Sequence, residues 1–151
     1  MPLKGIPMLL SPELLYTLAR MGHGDEMVLA DAHFPTSNVC KEGGAVEIRA
    51  DGLCIPELLT AILKLFPLDT YDENPVILME LCGSDKAKGL PVPIWDKYKQ
   101  IVNASENREV QTLSIDRFDF YDRAKKSFAI VHTGETAQYG NIILKKGLVL
   151  S

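Results

Sequence analysis

The chain lacks most of the marks by which a sequence declares its chemistry. Its three cysteines, Cys40, Cys54 and Cys82, are odd in number and widely spaced, which excludes a disulfide framework. The absence of a Cys-x-x-Cys pair removes the zinc knuckle as well, and a reducing cytoplasm is the expected compartment. No apolar run approaches the ~20 residues of a membrane span, and Leu9-Leu10 is too short for the core of a signal peptide. Neither membrane insertion nor export is expected. Positive charge is not in excess: 16 Lys and Arg stand against 20 Asp and Glu, a net charge of -4, which argues against a nucleic-acid surface. A Gly-x-Ser-x-Gly elbow, a phosphate loop and a dinucleotide fingerprint are all missing. So are internal repeats, low-complexity tracts and linkers.

What is present is the profile of an ordinary soluble globule, 46% hydrophobic and 24% charged over 151 residues. A chain of this length folds as one domain, residues 1–151, and removes roughly 70% of its unfolded surface from water. Ser11-Pro12-Glu13 is a helix start, since the Ser oxygen caps free amides and Pro supplies a preset φ. The helix runs to about Met21, with Gly22 as its left-handed stop. Met27 to Ala30 has no polar interruption and reads as a strand buried on both faces, opened by Asp25 and ended at Asp31. Ala32 to Gly44, with Pro35, Ser37, Asn38 and Gly43-Gly44, reads as loop. Val46 and Ile48 alternate with Glu47 and Arg49 in a half-exposed strand.

Further on, a second helix opens at Pro56, with Leu58, Leu59, Ile62, Leu63 and Phe66 as its apolar face. Val76 to Leu81 is an interior strand, and a third helix follows Pro91 and Pro93 from Ile94 to about Ala104. Val110 to Ser114 is a strand, and Asp116 to Lys126 a helix with Phe118, Tyr121 and Ala124 on one face. Strands at Ser127 to Thr133 and Ile142 to Lys145 complete the pattern. The alternation predicts an α/β domain, a mainly parallel or mixed central sheet of about six strands flanked by helices, with its ligand site outside the strand ends.

The densest chemistry lies between Met21 and Pro35, where His23, Asp25, Asp31 and His33 surround one apolar run. His23 projects from a turn flanked by Gly22 and Gly24. It and Asp31 stand at opposite ends of one strand, or on either side of the groove beside it. Those four residues offer nitrogen and oxygen ligands, yet no pair has the i, i+4 spacing of a zinc peptidase, so metal-dependent hydrolysis ranks behind acid/base chemistry. His132 reads as a hydrogen-bonded strand histidine. Asp69, Tyr121, Tyr139 and Asn141 add donors and acceptors at loop ends. On physical grounds alone the residues specify a small-molecule site with a histidine and carboxylates.

Three strings carry a further reading: Gly22-His23-Gly24-Asp25-Glu26 with Asp31 and Phe34-Pro35; Arg117-Phe118 through Tyr121, Arg123 and Lys125-Lys126; and Thr133-Gly134-Glu135 with Tyr139-Gly140-Asn141. Together with Asp69-Thr70-Tyr71 and Met79-Glu80, this resembles the sugar mutarotase family of ribose pyranases and fucose mutarotases, and within it the animal fucose mutarotases. The resemblance runs along nearly the whole chain. It implies a ribose-pyranase-like fold, interconversion of L-fucose anomers without a cofactor or metal, and a homo-oligomer. It also implies His23 as proton donor, Asp69 as a second catalytic group, and Asp31, Met79, Tyr121, Tyr139 and Asn141 as sugar contacts. Tyr139 and Asn141 are expected to donate hydrogen bonds to the sugar without joining the proton relay. Two departures bear on the site: His33 replaces the expected Asn before Phe34-Pro35, and His132 replaces a small residue before Thr133-Gly134. A sugar-binding regulatory protein on the same scaffold, or a pyranase for another sugar such as ribose, are the competing readings.

Overall fold

Ser11 caps as its neighbours Pro12 and Glu13 imply: the Leu14 amide donates to its hydroxyl at 3.2 Å, and helix α1 (Pro12–Arg20) begins. The computed structural model describes residues 2–150. The helix does not stop at Gly22 in the left-handed region. Met21 is already extended, at φ -67° and ψ 137°, and the left-handed residue is Gly24, at φ 89°. Strand β1 (Glu26–Ala30) then follows, buried from Met27 onward.

The stretch expected as loop after Asp31 contains helix α2 (Thr36–Gly43). Its turn-forming residues Ser37 and Asn38 face solvent, while Val39 and Cys40 are buried. Gly44, at φ 82°, ends the helix, so the Gly43-Gly44 pair is a helix end rather than a free turn. Tertiary packing overrides local composition here. Strand β2 (Val46–Ala50) buries Ile48 but leaves Val46 exposed, because it lies at the sheet edge. Helix α3 (Ile55–Leu63) starts at Ile55; Phe66 lies beyond its end and is still buried.

Strand β3 (Val76–Met79) is interior as expected, and a short helix the sequence did not signal, α4 (Gly83–Ala87), follows it. Helix α5 (Pro93–Glu106) and strand β4 (Thr112–Ile115) come next. Helix α6 (Arg117–Lys125) turns a different face inward from the one expected: Phe120 and Ala124 are buried, whereas Phe118 is 68% exposed. Strands β5 (Ala129–Thr133) and β6 (Ile142–Lys145) complete the sheet.

The six strands lie in the order β2-β5-β1-β6-β3-β4. Parallel pairing joins β2 to β5, β5 to β1 and β3 to β4, whereas β6 is antiparallel to both β1 and β3. The sheet is therefore mixed, with one reversed strand near its centre. Successive residues of β1 alternate between two cores. Met27 and Leu29 pack with α1, α3 and α5 residues such as Leu14, Leu59 and Tyr98, while Val28 and Ala30 face Val39, Phe120 and Ala124 of α2 and α6. Each fully buried Leu, Ile or Met of this kind contributes about 1.5 to 3 kcal/mol.

Helices α2 and α6 approach so closely at Gly43 that a Cβ there would collide with the Lys125 main chain. Gly43→Ala is expected to destabilise by about 1 to 3 kcal/mol, read as a lower midpoint of urea unfolding at unchanged slope.

Candidate active site

Five of the strands point their C-terminal ends to one edge of the sheet, and reversed β6 begins there. Asp31 follows β1, Met79 closes β3, Asp116 follows β4, and Tyr139 and Asn141 precede β6. These residues converge on a cavity of about 550 Å³, with Phe34, Tyr121, His33, Glu80, Cys82, Asp85 and Arg117 also on its walls. The volume is that of a small-molecule site. Met79 and the Phe34 and Tyr121 rings, edge to face at 5.5 Å between centroids, supply an apolar wall. Asp31, Glu80, Asp85 and Asp116 make the rim strongly acidic, against Arg117.

Asp31 is 5% exposed, and burial pushes its carboxyl above the usual range despite N–H donation from His33 and Gly140 and the nearby His33 ring. Its amide donates to Asn141 Oδ1 at 2.7 Å. Asn141 thus closes the junction between β1 and β6 with its oxygen, at the wall of the cavity. Tyr139, at φ 57°, is held by its neighbours: Trp95 Nε1 donates to its carbonyl at 2.9 Å, and the Tyr98 hydroxyl donates to Gly140 O at 2.6 Å. The Tyr139 hydroxyl donates to Asp85 Oδ2 at 2.5 Å, so its proton is not free for a ligand as the sequence led one to expect.

His23 and Asp69 are at the opposite edge. His23 Nε2 donates to Asp69 Oδ1 at 2.9 Å; the carboxylate is 3% exposed and the imidazole reaches solvent beside the exposed Tyr71 ring. Burial opposes ionisation of Asp69, but the His23 bond, the Tyr71 amide and the Lys145 charge outweigh it and hold the carboxyl below its ordinary value. Both loops hang on the end of β6: the Asp69 amide donates to Lys145 O at 3.0 Å and the Gly24 amide to Lys146 O at 2.8 Å. Lys146 Nζ also donates to Leu18 O and Met21 O, where a cation suits the C-terminal end of α1. A shallow hollow beside the pair is lined by Tyr71, Asp72, Glu73 and Asn74.

The expected residues therefore form two groups. Asp31, Met79, Tyr121, Tyr139 and Asn141 meet in the cavity; His23 and Asp69 meet each other but not the cavity, because β1, five residues and about 16 Å long at ~3.3 Å per residue, lies between them. The same separation splits His23 and Asp25 from Asp31 and His33. Among the described residues no group of three or more His, Cys, Asp or Glu side chains is arranged to hold a metal ion.

Of the two departures, His33 lines the cavity, whereas His132 is buried under α2 with Nδ1 2.6 Å from the Thr36 hydroxyl. Thr133-Gly134-Glu135 is a brace. Thr133 donates to Ala30 O, and buried Glu135 accepts the Ile55 amide at the start of α3. Cys82 and Asp85 escaped the sequence reading as site residues, since the segment just after Glu80 shows neither apolar periodicity nor a motif, and Trp95 read only as an inward residue of α5.

Residues 4–149 match the model of the RbsD / FucU transport protein family. The chain is 63% identical over 147 residues to the fucose mutarotase of Danio rerio, covering 97% of this chain and 94% of that protein. It is 61% identical over 148 residues to the fucose mutarotase of Homo sapiens, with 97% and 94% covered. The crystal structure of the fucose mutarotase from Streptococcus pneumoniae in complex with L-fucose is similar at a TM-score of 0.88 and 46% identity, over 98% of this chain and 100% of that one. Among the described residues, no helix is long and apolar enough to cross a membrane.

Asp31 and Asp69, both buried, make opposite contributions to the pH dependence of stability. Asp69 titrates below its unfolded value of about 3.9, so its contribution is complete above that pH and is lost as pH falls through the folded value. Asp31 titrates above, so its contribution is complete in acid and is lost as pH rises through its raised value. In urea unfolding across the acid range, Asp69→Asn is expected to flatten the acid-side decline, and Asp31→Asn to gain stability relative to the parent toward neutral pH.

Proposed function

Since this chain belongs to the RbsD / FucU family, we propose that it interconverts the α and β anomers of L-fucose, acting as a cofactor-independent isomerase. The single observation that carries the chemistry is the His23–Asp69 pair: a solvent-reaching imidazole backed by a buried, ionised carboxylate at 2.9 Å. The sugar comes from the relatives, which are named fucose mutarotases, and from the similar structure that holds L-fucose. The acidic rim supports an uncharged ligand, since it repels phosphates and carboxylates.

Anomer exchange opens a cyclic hemiacetal. A proton is delivered to the ring oxygen, the bond from that oxygen to the anomeric carbon breaks, and the anomeric hydroxyl loses its proton to leave an aldehyde. Rotation of the aldehyde and the reverse steps close the ring on the other face. With Asp69 accepting from His23 Nε2, Nδ1 is the nitrogen that passes a proton to the sugar, and it does so from the doubly protonated imidazolium, leaving a neutral ring whose remaining proton stays on Nε2. Asp69 is then the partner that orients the acid rather than a second group touching substrate. In the cavity, Asp31 suits the base role, because burial raises its proton affinity toward the working pH. Asn141 donates from its amide to a sugar hydroxyl, and Met79 and Tyr121 cover the apolar sugar face.

One chain does not bring acid and cavity together. We read the protein as a homo-oligomer in which the His23–Asp69 edge of one subunit meets the strand-end cavity of the next, a head-to-tail contact that closes as a ring. The three unpaired cysteines fit a reducing, cytoplasmic setting.

Proton-exchange NMR of equilibrated L-fucose tests the activity. The protein should speed α/β exchange, and His23→Gln should lower kcat by about 10²- to 10⁴-fold while retaining sugar affinity. Exchange at the buffer rate for L-fucose, ribose and galactose alike would sink the reading, retained L-fucose affinity then favouring a sugar-binding protein, and full exchange activity of His23→Gln would remove His23 as the proton donor. Mixing His23→Gln with Asp31→Asn subunits, each impaired in a different half of the site, should recover part of the activity through sites built from one intact edge of each. No recovery on subunit exchange would place the whole site within one chain.

A further inference from the structure

Tyr139 is held at both ends. Its main chain sits at φ 57°, a conformation that side-chain-bearing residues rarely adopt, and α5 keeps it there through the Trp95 and Tyr98 bonds to the Tyr139 and Gly140 carbonyls. Its ring crosses to the α4 segment. The hydroxyl lies 2.5 Å from Asp85 Oδ2 and 3.2 Å from Cys82 Sγ, and it accepts the Cys82 amide at 3.3 Å. No residue of α4 is buried, so this segment is not fixed by a core of its own.

We propose that Asp85 is a positioning and specificity residue of the strand-end cavity: it takes the only proton of the Tyr139 hydroxyl, fixes the ring against α4, and leaves that hydroxyl able only to accept from a sugar hydroxyl. The inference rests on the reading that the sugar occupies this cavity. A phenol has one proton and two acceptor positions. The proton is committed to the carboxylate, which is the nearer and stronger acceptor than the thiol. One acceptor position holds the Cys82 amide, which leaves one for a sugar hydroxyl in the cavity that Tyr139 lines. A neutral sugar then binds there as a donor, and an analogue whose hydroxyl is methylated has nothing to donate. The Asp85 carboxylate, with the Cys82 thiol second, pushes the Tyr139 phenol up to about 12, and the same bond holds Asp85 below the usual carboxylate range.

The test uses Asp85→Ala, Asp85→Asn, Tyr139→Phe and the double variant Asp85→Ala/Tyr139→Phe, each as the whole chain. Ultraviolet titration of tyrosinate, with the Tyr139→Phe protein subtracted, should show Tyr139 ionising near the ordinary value of about 10 in Asp85→Ala and well above it in the parent. In anomer exchange, Asp85→Ala should raise KM for L-fucose roughly tenfold, one lost hydrogen bond, at nearly unchanged kcat. Asp85→Asn, whose amide oxygen still accepts the phenol proton, should recover most of the loss, and the double variant should be no worse than Tyr139→Phe alone.

An unshifted Tyr139 titration in Asp85→Ala would overturn the proposal. So would additive losses in the double variant, or a fall in kcat at unchanged KM. If the parent exchanges no sugar at all, the functional reading fails separately; the titration still decides the clasp, and calorimetric L-fucose affinity of parent and Asp85→Ala decides its sugar half, equal affinities overturning it.

Discussion

The main-chain ladder of β6 is the constraint on which the rest of the molecule depends. This strand runs against β1 and β3, with Glu26 opposite Lys145 and Val76 opposite Leu144, inside a sheet whose other neighbours are parallel. Reversal puts its first residues, behind Tyr139-Gly140-Asn141, at the edge where the other strands end. It puts its last residues, Lys145 and Lys146, at the edge where they begin. Asn141 is thereby delivered to Asp31, and the carbonyls of Lys145 and Lys146 take the amides that seat the Asp69 and His23 loops. Without the reversal, the histidine and its carboxylate would have no common support.

Burial acts differently on the carboxylates at the two edges. Asp31 is shut away with N–H donors that do not fully offset desolvation, so it holds its proton more tightly than a free aspartate. Asp69 lies nearer the surface beside an imidazole, an amide and a lysine charge, and is held below its ordinary value. The contrast follows from how deeply each carboxylate is desolvated and from what it touches.

Much of the architecture was legible in the chain. The cap at Ser11, the uninterrupted apolar strands at Met27 and Val76, and the prolines before α5 are local signals with local causes, and each produced the element expected. The failures have an equally definite origin. Thr36 to Gly43 looks like loop because Ser37, Asn38 and Gly43 favour turns, yet burying Val39 and Cys40 against the sheet and fitting glycine against Lys125 make it a helix. In α6 the spacing pointed to Phe118, Tyr121 and Ala124 as the inward face, and contact with Phe34 and the sheet buried Phe120 in place of Phe118.

Of the residues the sequence singled out, Asp31, Met79, Tyr121, Tyr139 and Asn141 meet in one cavity while His23 and Asp69 meet elsewhere, an arrangement the sequence did not show. Sequence alone determined the α/β class, the histidines and carboxylates available, and the family resemblance, because periodicity, capping and residue chemistry are properties of neighbouring positions. Only the tertiary structure decided that His23 pairs with Asp69 across 46 positions, that this pair lies on the far edge from Asp31 and Asn141, and that the Tyr139 proton belongs to Asp85. Strand direction and hydrogen-bond partners are settled by long-range pairing in a packed sheet, where each buried donor must find an acceptor that the local chain does not supply.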